Sequence, residues 1–172
     1  EDGVLVIPIA NKATDLSTSI KDNPLKWAGE AAAQTVGQGL SGTNEDSVSM
    51  LAAVIKAREL NPNAQIDLLG YSAGGFVSEG ATRLAYQAGI ENIKGVAIAT
   101  PSMVGTTQMD NFSRYIGEND PIRLAEQTIG ASDVSKQSQV ISGIASHSSS
   151  DYLENHIHVF CNYFISHKFV WP

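Results

Sequence analysis

The sequence predicts an α/β fold with a mostly parallel sheet flanked by helices. Short apolar runs alternate along the chain with segments whose apolar residues recur at helical spacing, an order typical of parallel sheets. The first run, Gly3 to Ala10, is apolar throughout, as in strands covered on both faces. The chain has 172 residues, a length suited to one core, and shows no internal repeat or linker. We therefore expect a single domain over residues 1–172.

Five segments are predicted to form strands. They are residues 3–10, 66–70, 93–99, 111–116 and 140–144. Pro8 has no N–H to donate to a sheet, so we expect it at the end of the first strand or at a sheet edge.

Four segments are predicted to form helices, and residues 11–25 are expected to form a loop. The helices are an alanine-rich segment at 25–36, a segment from 43 to 60, residues 73–88 and the strongly amphipathic residues 151–167. The second begins with a capping residue followed by two acids, and Pro62 stops it. Its apolar positions at helical spacing are Val48, Leu51, Ala52 and Ile55.

The charge of the chain excludes one class of partner. The net charge is −7, and the 11 lysines and arginines are scattered rather than clustered. Nucleic-acid binding needs clustered basic residues that neutralise phosphates, so no nucleic-acid partner is expected. An acidic surface gives no attraction to anionic lipids either, and membrane contact is left open.

The cellular compartment is also left open. Cys161 is the only cysteine, so no internal disulfide is possible, and its place on an apolar helix face indicates a buried small side chain. We recognise no signal peptide, and the longest apolar run is too short to cross a bilayer. The chain starts at Glu1 without a methionine, which fits a processed or trimmed N-terminus.

The segment GYSAGG at 70–75 fits the pattern G-x-S-x-G. It follows a predicted strand and precedes a predicted helix, the context in which this pattern makes a sharp turn that exposes the serine hydroxyl. Small residues two positions before and after the serine are needed because side chains there would clash in the turn. We therefore predict Ser72 as a nucleophile, the alternative being a glycine-rich turn without chemistry.

A serine nucleophile needs a base, and the base needs a group that orients it. The segment GENDP at 117–121 follows a predicted strand and supplies two carboxylates. Asp120 is the predicted acid because Pro121 holds it in an extended backbone at the turn. Glu118 is the alternative acid.

Four histidines follow the acid in the chain. His147 lies in the loop between the last predicted strand and the last predicted helix, from which it can reach the strand ends near Ser72. His156 and His158 lie two residues apart in that helix and cannot share a face as metal ligands, and His167 is at its end. His147 is the predicted base, with His156 as the alternative.

Together these residues resemble a known family. The chain is similar over nearly its whole length to the compact α/β-hydrolases, the lipase and esterase group without a large lid. The matching parts are GYSAGG at 70–75, GENDP at 117–121 and the His147 loop leading into Asp151 and Tyr152. The resemblance implies acyl transfer to water through an acyl-serine intermediate, with a small-molecule or lipid ester as substrate.

In this family the backbone N–H after the nucleophile, here that of Ala73, binds the oxyanion together with an N–H beyond the first strand. Pro8 has no N–H, so Ile9 or Ala10 is the expected second donor.

No cofactor or metal is expected. Residues 37–42 match G-x-G-x-x-G, but a helix-like segment precedes them and acids follow, so we predict a flexible loop there. No cysteine or histidine cluster has zinc spacing. Two alternatives to an esterase stay open: a thioesterase, amidase or acyltransferase with the same triad, and an inactive binding domain that keeps the fold.

Overall fold

The computed structural model describes residues 4–9, 45–100, 109–128, 138–144, 146–148 and 151–152, with the backbone alone for 4–9 and 125–128. Five strands pair in chain order and every pair is parallel. They are β1 (Val4–Ile9), β2 (Gln65–Tyr71), β3 (Ile93–Ile98), β4 (Phe112–Gly117) and β5 (Ser138–Ile141). The predicted α/β fold with a parallel sheet flanked by helices is confirmed.

Three helices lie in the described ranges: α1 (Glu45–Leu60), α2 (Ala73–Gln87) and α3 (Pro121–Thr128). The first two were predicted at nearly these bounds, whereas α3 was not predicted. Its sequence signal is an aspartate before a proline, since Pro is favoured at the first position of a helix and Asp just before it. None of the described helices is long and apolar enough to cross a membrane.

The sheet has an apolar cluster on each face, because successive strand residues point to opposite sides. Helices α1 and α2 cover one face, where the buried residues are Val54, Ala57, Ile66, Leu68, Ala81, Ala85 and Ile93. The other face has a cluster of Val96, Ile98, Ala99, Ile141, Ile144 and Tyr152. Leu69 and Tyr71 pack against this second cluster, so the strand that leads to Ser72 is held from both sides.

Helix α1 is present, but its apolar spacing does not describe its buried side. Val48 and Ile55 are 57% and 43% exposed, and the buried residues are Ser47, Val54 and Ala57. The helix packs against α2, where Ala81 and Ala85 lie in the same apolar cluster, and of the predicted apolar positions Leu51 packs partly buried against this cluster.

The last described strand lies earlier than the predicted 140–144. It ends at Ile141, and Gly143 with φ 85° turns the chain after it. The backbone N–H groups of Glu118 and Asn119 donate to the carbonyls of Ile141 (2.9 Å) and Ile144 (3.1 Å), which ties this turn to the end of β4. The predicted loop at 11–25, the helix at 25–36, the loop at 37–42, Cys161 and most of the helix at 151–167 lie outside the described residues.

Candidate active site

Ser72 sits in a sharp turn between β2 and α2. Its φ is 51° and its ψ is −122°, a conformation that non-glycine residues rarely adopt and that costs on the order of 1–3 kcal/mol. A Cβ on Gly70 would lie 2.1 Å from the carbonyl oxygen of Gly74, and one on Gly75 would lie 1.9 Å from Oγ1 of Thr100. Gly70 is therefore required for the turn itself, and Gly75 for the close approach of α2 to Thr100 beyond β3.

The turn is also tied to the neighbouring strand. The N–H of Ser72 donates to the carbonyl of Ile98 at 2.8 Å. The hydroxyl of Thr100, which is fully buried, lies 2.8 Å from the carbonyl oxygen of Ser72 and 3.0 Å from that of Ile98. Ala99, between Ile98 and Thr100, has φ 52°. The two strained non-glycine residues, Ser72 and Ala99, therefore lie side by side at this edge of the sheet. Strain of this kind clusters at functional sites.

Three predicted side chains meet at the carboxyl edge of the sheet. Ser72 Oγ is 2.9 Å from Nε2 of His147, and Nδ1 of His147 is 3.0 Å from Oδ2 and 3.2 Å from Oδ1 of Asp120. An ionised carboxylate only accepts hydrogen bonds, so the imidazole carries its proton on Nδ1 and accepts the Ser72 hydroxyl at Nε2. The residues are 75 and 27 positions apart in the chain, and all three side chains are largely buried.

Asp120 has no exposed surface, and its carboxylate is held from three directions. Oδ1 accepts the N–H of Ile122 at 2.8 Å, which makes Asp120 the cap of α3. Oδ2 accepts the hydroxyl of Tyr152 at 2.5 Å, in addition to the imidazole of His147. The residue thus caps a helix and orients an imidazole at once.

Two tyrosines lie against the acid and the base. The ring of Tyr71 stacks on the ring of His147, with centroids 5.7 Å apart and planes at 29°, and its hydroxyl donates to the carbonyl of His147 at 2.8 Å. Burial, followed by the negative charge of Asp120, raises the pKa of Tyr71 far above its usual value. Burial and the hydrogen bond to Asp120 do the same to the pKa of Tyr152. Both hydroxyls therefore stay protonated and act as donors.

The loop that carries His147 is fixed by its own side chains. The hydroxyl of Ser146 donates to the carboxylate of Asp151 and accepts the N–H of Ser148 at 3.1 Å. The N–H of Tyr152 donates to the carbonyl of Ser148 at 3.3 Å. These contacts hold the base and Tyr152 in one compact unit.

The structure does not bring the alternative acid to the site. Glu118 is exposed, and its backbone carbonyl accepts the guanidinium of Arg123 at 2.6 Å. The alternative base His156, and His158 and His167, lie outside the described residues. The catalytic roles of Ser72, His147 and Asp120 stay predictions, although the side chains lie as those roles require.

The expected oxyanion donors lie on two adjacent elements. Ala73 is the first residue of α2, and the Ser72 side chain makes no capping bond there, so the helix N-terminus has its partial positive charge beside the nucleophile. Ile9 is the last residue of β1 and pairs in register with Gly70, which puts its backbone beside the turn. Ala10 lies outside the described residues.

A buried ion-pair group joins α2 to the sheet. Glu79 of α2 forms ion pairs with Arg114 of β4 and, at 3.4 Å, with Arg83 one helical turn further on. Glu79 and Arg114 have side chains 5% and 4% exposed, and the Arg114 guanidinium also lies 5.7 Å from the ring centroid of Phe112. This group fastens α2, and with it the Ser72 turn, to the sheet.

A cleft in the described part of the chain lies away from Ser72. It has a volume of about 260 Å³ and is lined by the end of α1 and by the residues just before β3, at the amino edge of the sheet. The guanidinium of Arg58 in this cleft donates to the backbone carbonyls of Pro62, Ala64 and Asn92. These hydrogen bonds connect the end of α1 to the segments before β2 and β3. We assign it no role in the chemistry.

Sequence reasoning missed Thr100 and assigned no role to Tyr71 and Tyr152, although both tyrosines lie in segments that resemble the family. The position of Tyr71, directly before the nucleophile, is a local signal for a contact with the base. No local signal marks Tyr152, which reaches Asp120 across 32 positions in the chain. Among the described residues, no group of three or more His, Cys, Asp or Glu side chains could hold a metal ion.

Comparison with protein-family models gives no match, and comparison with curated proteins gives no significant match either.

Proposed function

We propose that this chain is a serine hydrolase of the α/β-hydrolase type that cleaves carboxylic esters through an acyl-serine intermediate. The observation that carries the proposal is the continuous chain of contacts from Ser72 Oγ to His147 Nε2 (2.9 Å) and from His147 Nδ1 to Asp120 (3.0 Å). A hydroxyl, an imidazole and a buried carboxylate in this order are the arrangement that activates a serine for attack.

The order of these residues along the sheet supports the same class. The nucleophile follows β2, the acid follows β4 and the base follows β5, all at the carboxyl edge of parallel strands. Nucleophile, acid and histidine in that chain order, with the serine on a strained strand-to-helix turn, are typical of α/β-hydrolases. Unrelated serine hydrolases use other chain orders.

In the first half-reaction, Ser72 Oγ attacks the ester carbonyl carbon as its proton moves to His147 Nε2. The carbonyl π electrons move to the oxygen, and the resulting oxyanion is stabilised by the N–H of Ala73 and by a second N–H from Ile9 or Ala10. The imidazolium formed on His147 faces the negative carboxylate of Asp120, which stabilises it without taking the proton.

The tetrahedral intermediate then collapses. His147 returns its proton to the leaving alkoxide, the C–O bond breaks, and the alcohol departs, leaving the acyl group on Ser72. A water molecule gives a proton to His147 and attacks the acyl carbon, and a second collapse releases the carboxylic acid and restores the serine hydroxyl. No step consumes a cofactor.

The test is labelling of the intact protein with a fluorophosphonate probe, followed by mass spectrometry of the labelled peptide. We expect labelling at Ser72, together with hydrolysis of short p-nitrophenyl esters that persists in EDTA. Ser72→Ala should abolish labelling and lower turnover by roughly 10⁶-fold, the subtilisin precedent. Folded protein that is not labelled, or is labelled at another serine, would overturn the proposal.

A further inference from the structure

We propose that Tyr152 is a positioning residue, whose hydroxyl sets the orientation of the Asp120 carboxylate and thereby that of His147. This inference rests on the proposed function. The Tyr152 hydroxyl donates to Oδ2 of Asp120 at 2.5 Å and accepts the N–H of Gly117 at 2.7 Å. It therefore links the acid to the backbone at the end of β4.

The two contacts leave the carboxylate one orientation. Oδ1 accepts the N–H of Ile122 and Oδ2 accepts the Tyr152 hydroxyl, so donors fixed by the fold hold both oxygens. The imidazole of His147 bonds to the carboxylate held in this way. Without the Tyr152 hydroxyl, a single fixed donor would remain on one oxygen, and the carboxylate could turn about its terminal torsion, which is soft for aspartate.

The hydroxyl of Tyr152 is itself held in place. The residue is 1% exposed, and its ring packs edge-on against Tyr71 at 5.9 Å, while Tyr71 stacks on His147. A Cβ on Gly117 would lie 2.6 Å from Ile144 and 3.0 Å from the Tyr152 oxygen, so glycine is needed there for the approach. Acid, base and both tyrosines thus form one packed cluster.

The Tyr152 hydroxyl also weakens the negative charge that the Asp120 carboxylate presents to His147. A hydrogen bond donated to Asp120 draws part of the negative charge of the carboxylate away from the imidazole. Removal of the hydroxyl leaves the full charge facing the imidazolium, which favours the protonated ring. The pH at which hydrolysis reaches half of its maximum should then move upward, an effect that a purely structural side chain would not produce.

The variant is Tyr152→Phe, which keeps the buried ring and removes only the hydroxyl. The matched control is Tyr115→Phe, since Tyr115 packs against the same apolar cluster and has no contact with Asp120 among the described hydrogen bonds. Ester hydrolysis as a function of pH, and thermal unfolding, are measured for both variants and for the unmodified protein.

For Tyr152→Phe we expect kcat to fall on the order of 10-fold to 100-fold, as when supporting groups of a site are lost, with little change in KM. The pH midpoint should rise, and Tm should fall because the Gly117 N–H loses its acceptor. Tyr115→Phe should leave kcat and the pH midpoint unchanged. A lower Tm with unchanged kcat and pH midpoint would show that Tyr152 is only structural and would overturn the inference.

A second readout does not depend on turnover. The Nδ1 proton of His147, hydrogen-bonded to Asp120, is expected as a downfield resonance in the proton NMR spectrum of the folded protein. In Tyr152→Phe this resonance should shift or broaden, and in Tyr115→Phe it should not. Failure of Ser72 to label or of esters to react would refute the proposed function, whereas an unchanged resonance in Tyr152→Phe would refute the positioning role.

Discussion

Two of the carboxylates that are buried in the described part of the chain, those of Glu79 and Asp120, have opposite surroundings. Glu79 under α2 lies between two arginines, so formal positive charges compensate its negative charge. Asp120 at the carboxyl edge of the sheet is fully buried, yet its hydrogen bonds come from a backbone N–H, a tyrosine hydroxyl and an imidazole. No lysine or arginine forms an ion pair with it in the part of the chain that the structure describes.

The difference separates a structural charge from one available to chemistry. An ion pair compensates Glu79 whether or not a reaction takes place, and it serves to hold α2 on the sheet. Asp120 is oriented by neutral donors that leave its net charge in place, so in the proposed mechanism this charge would stabilise the imidazolium formed when Ser72 attacks. Two substitutions and one alkaline titration test this difference.

The largest effect should come from Asp120→Asn. The amide keeps the shape but cannot hold the Nδ1 proton, so the imidazole adopts the wrong tautomer and turnover should fall by roughly 10⁴-fold. Steady-state ester hydrolysis gives the measurement. Glu118→Gln is the control, since Glu118 is exposed. This substitution should change the free energy of unfolding by no more than about 0.5 kcal/mol and should leave turnover nearly unchanged. A larger loss in Glu118→Gln than in Asp120→Asn would show that the acid is assigned wrongly.

Glu79→Gln should act on stability instead. It leaves the Arg114 guanidinium buried without its carboxylate, which should cost about 3–5 kcal/mol in the free energy of unfolding. Denaturant titration measures the loss, and activity per folded molecule should change little at low temperature. In Glu79→Gln/Arg114→Leu no uncompensated charge is left beside β4, so part of the lost stability should return. Loss of activity with full stability would contradict the structural role.

The smallest effect concerns tyrosine ionisation. Burial and the nearby Asp120 raise the pKa of Tyr71 and Tyr152 in the folded protein, while in the unfolded chain tyrosines ionise near pH ~10. The folded state then holds protons that the unfolded state has lost, so their contribution to stability is complete below pH ~10 and is lost as the pH rises above it.

Tyrosinate absorbance during alkaline titration tests this linkage. Asp120→Asn removes a negative charge beside both hydroxyls, so Tyr71 and Tyr152 should ionise at a lower pH than in the unmodified protein. Because burial also raises their pKa, they should still ionise above pH ~10. Glu79 is not among the groups that raise the pKa of Tyr71 or Tyr152, so Glu79→Gln should leave their titration in the folded protein unchanged. Equal shifts in both variants would mean that the two carboxylates do not differ as described.

The parts of the fold that depend on neighbouring residues could be predicted from sequence. The Ser72 turn could be predicted from residues 70–75, because a side chain at Gly70 would clash with Gly74 and Gly75 in the same turn. Strands buried on both faces stand out as apolar runs, and the chain order of Ser72, Asp120 and His147 was expected from the resemblance to α/β-hydrolases.

The rest depends on contacts between distant segments. Helix α3 was missed because Asp120 before Pro121 was interpreted as a turn, although the same pair caps and starts a helix. The buried side of α1 could not be predicted from its apolar spacing, because contacts with α2 and β2 decide which of its side chains face inward. Tyr152 contacts Asp120 and Gly117, which are 32 and 35 positions away in the sequence. Local sequence patterns do not predict contacts at such separations.

Ser72 occupies the position just before α2 at which serine commonly caps a helix, yet its hydroxyl points to His147 and its φ is positive. Stability alone would favour glycine at this position, because glycine relieves the backbone strain. The proposed chemistry and the stability of the fold therefore favour different residues at position 72. The proposed function accounts for a serine in this strained, uncapped turn, where stability alone would favour glycine.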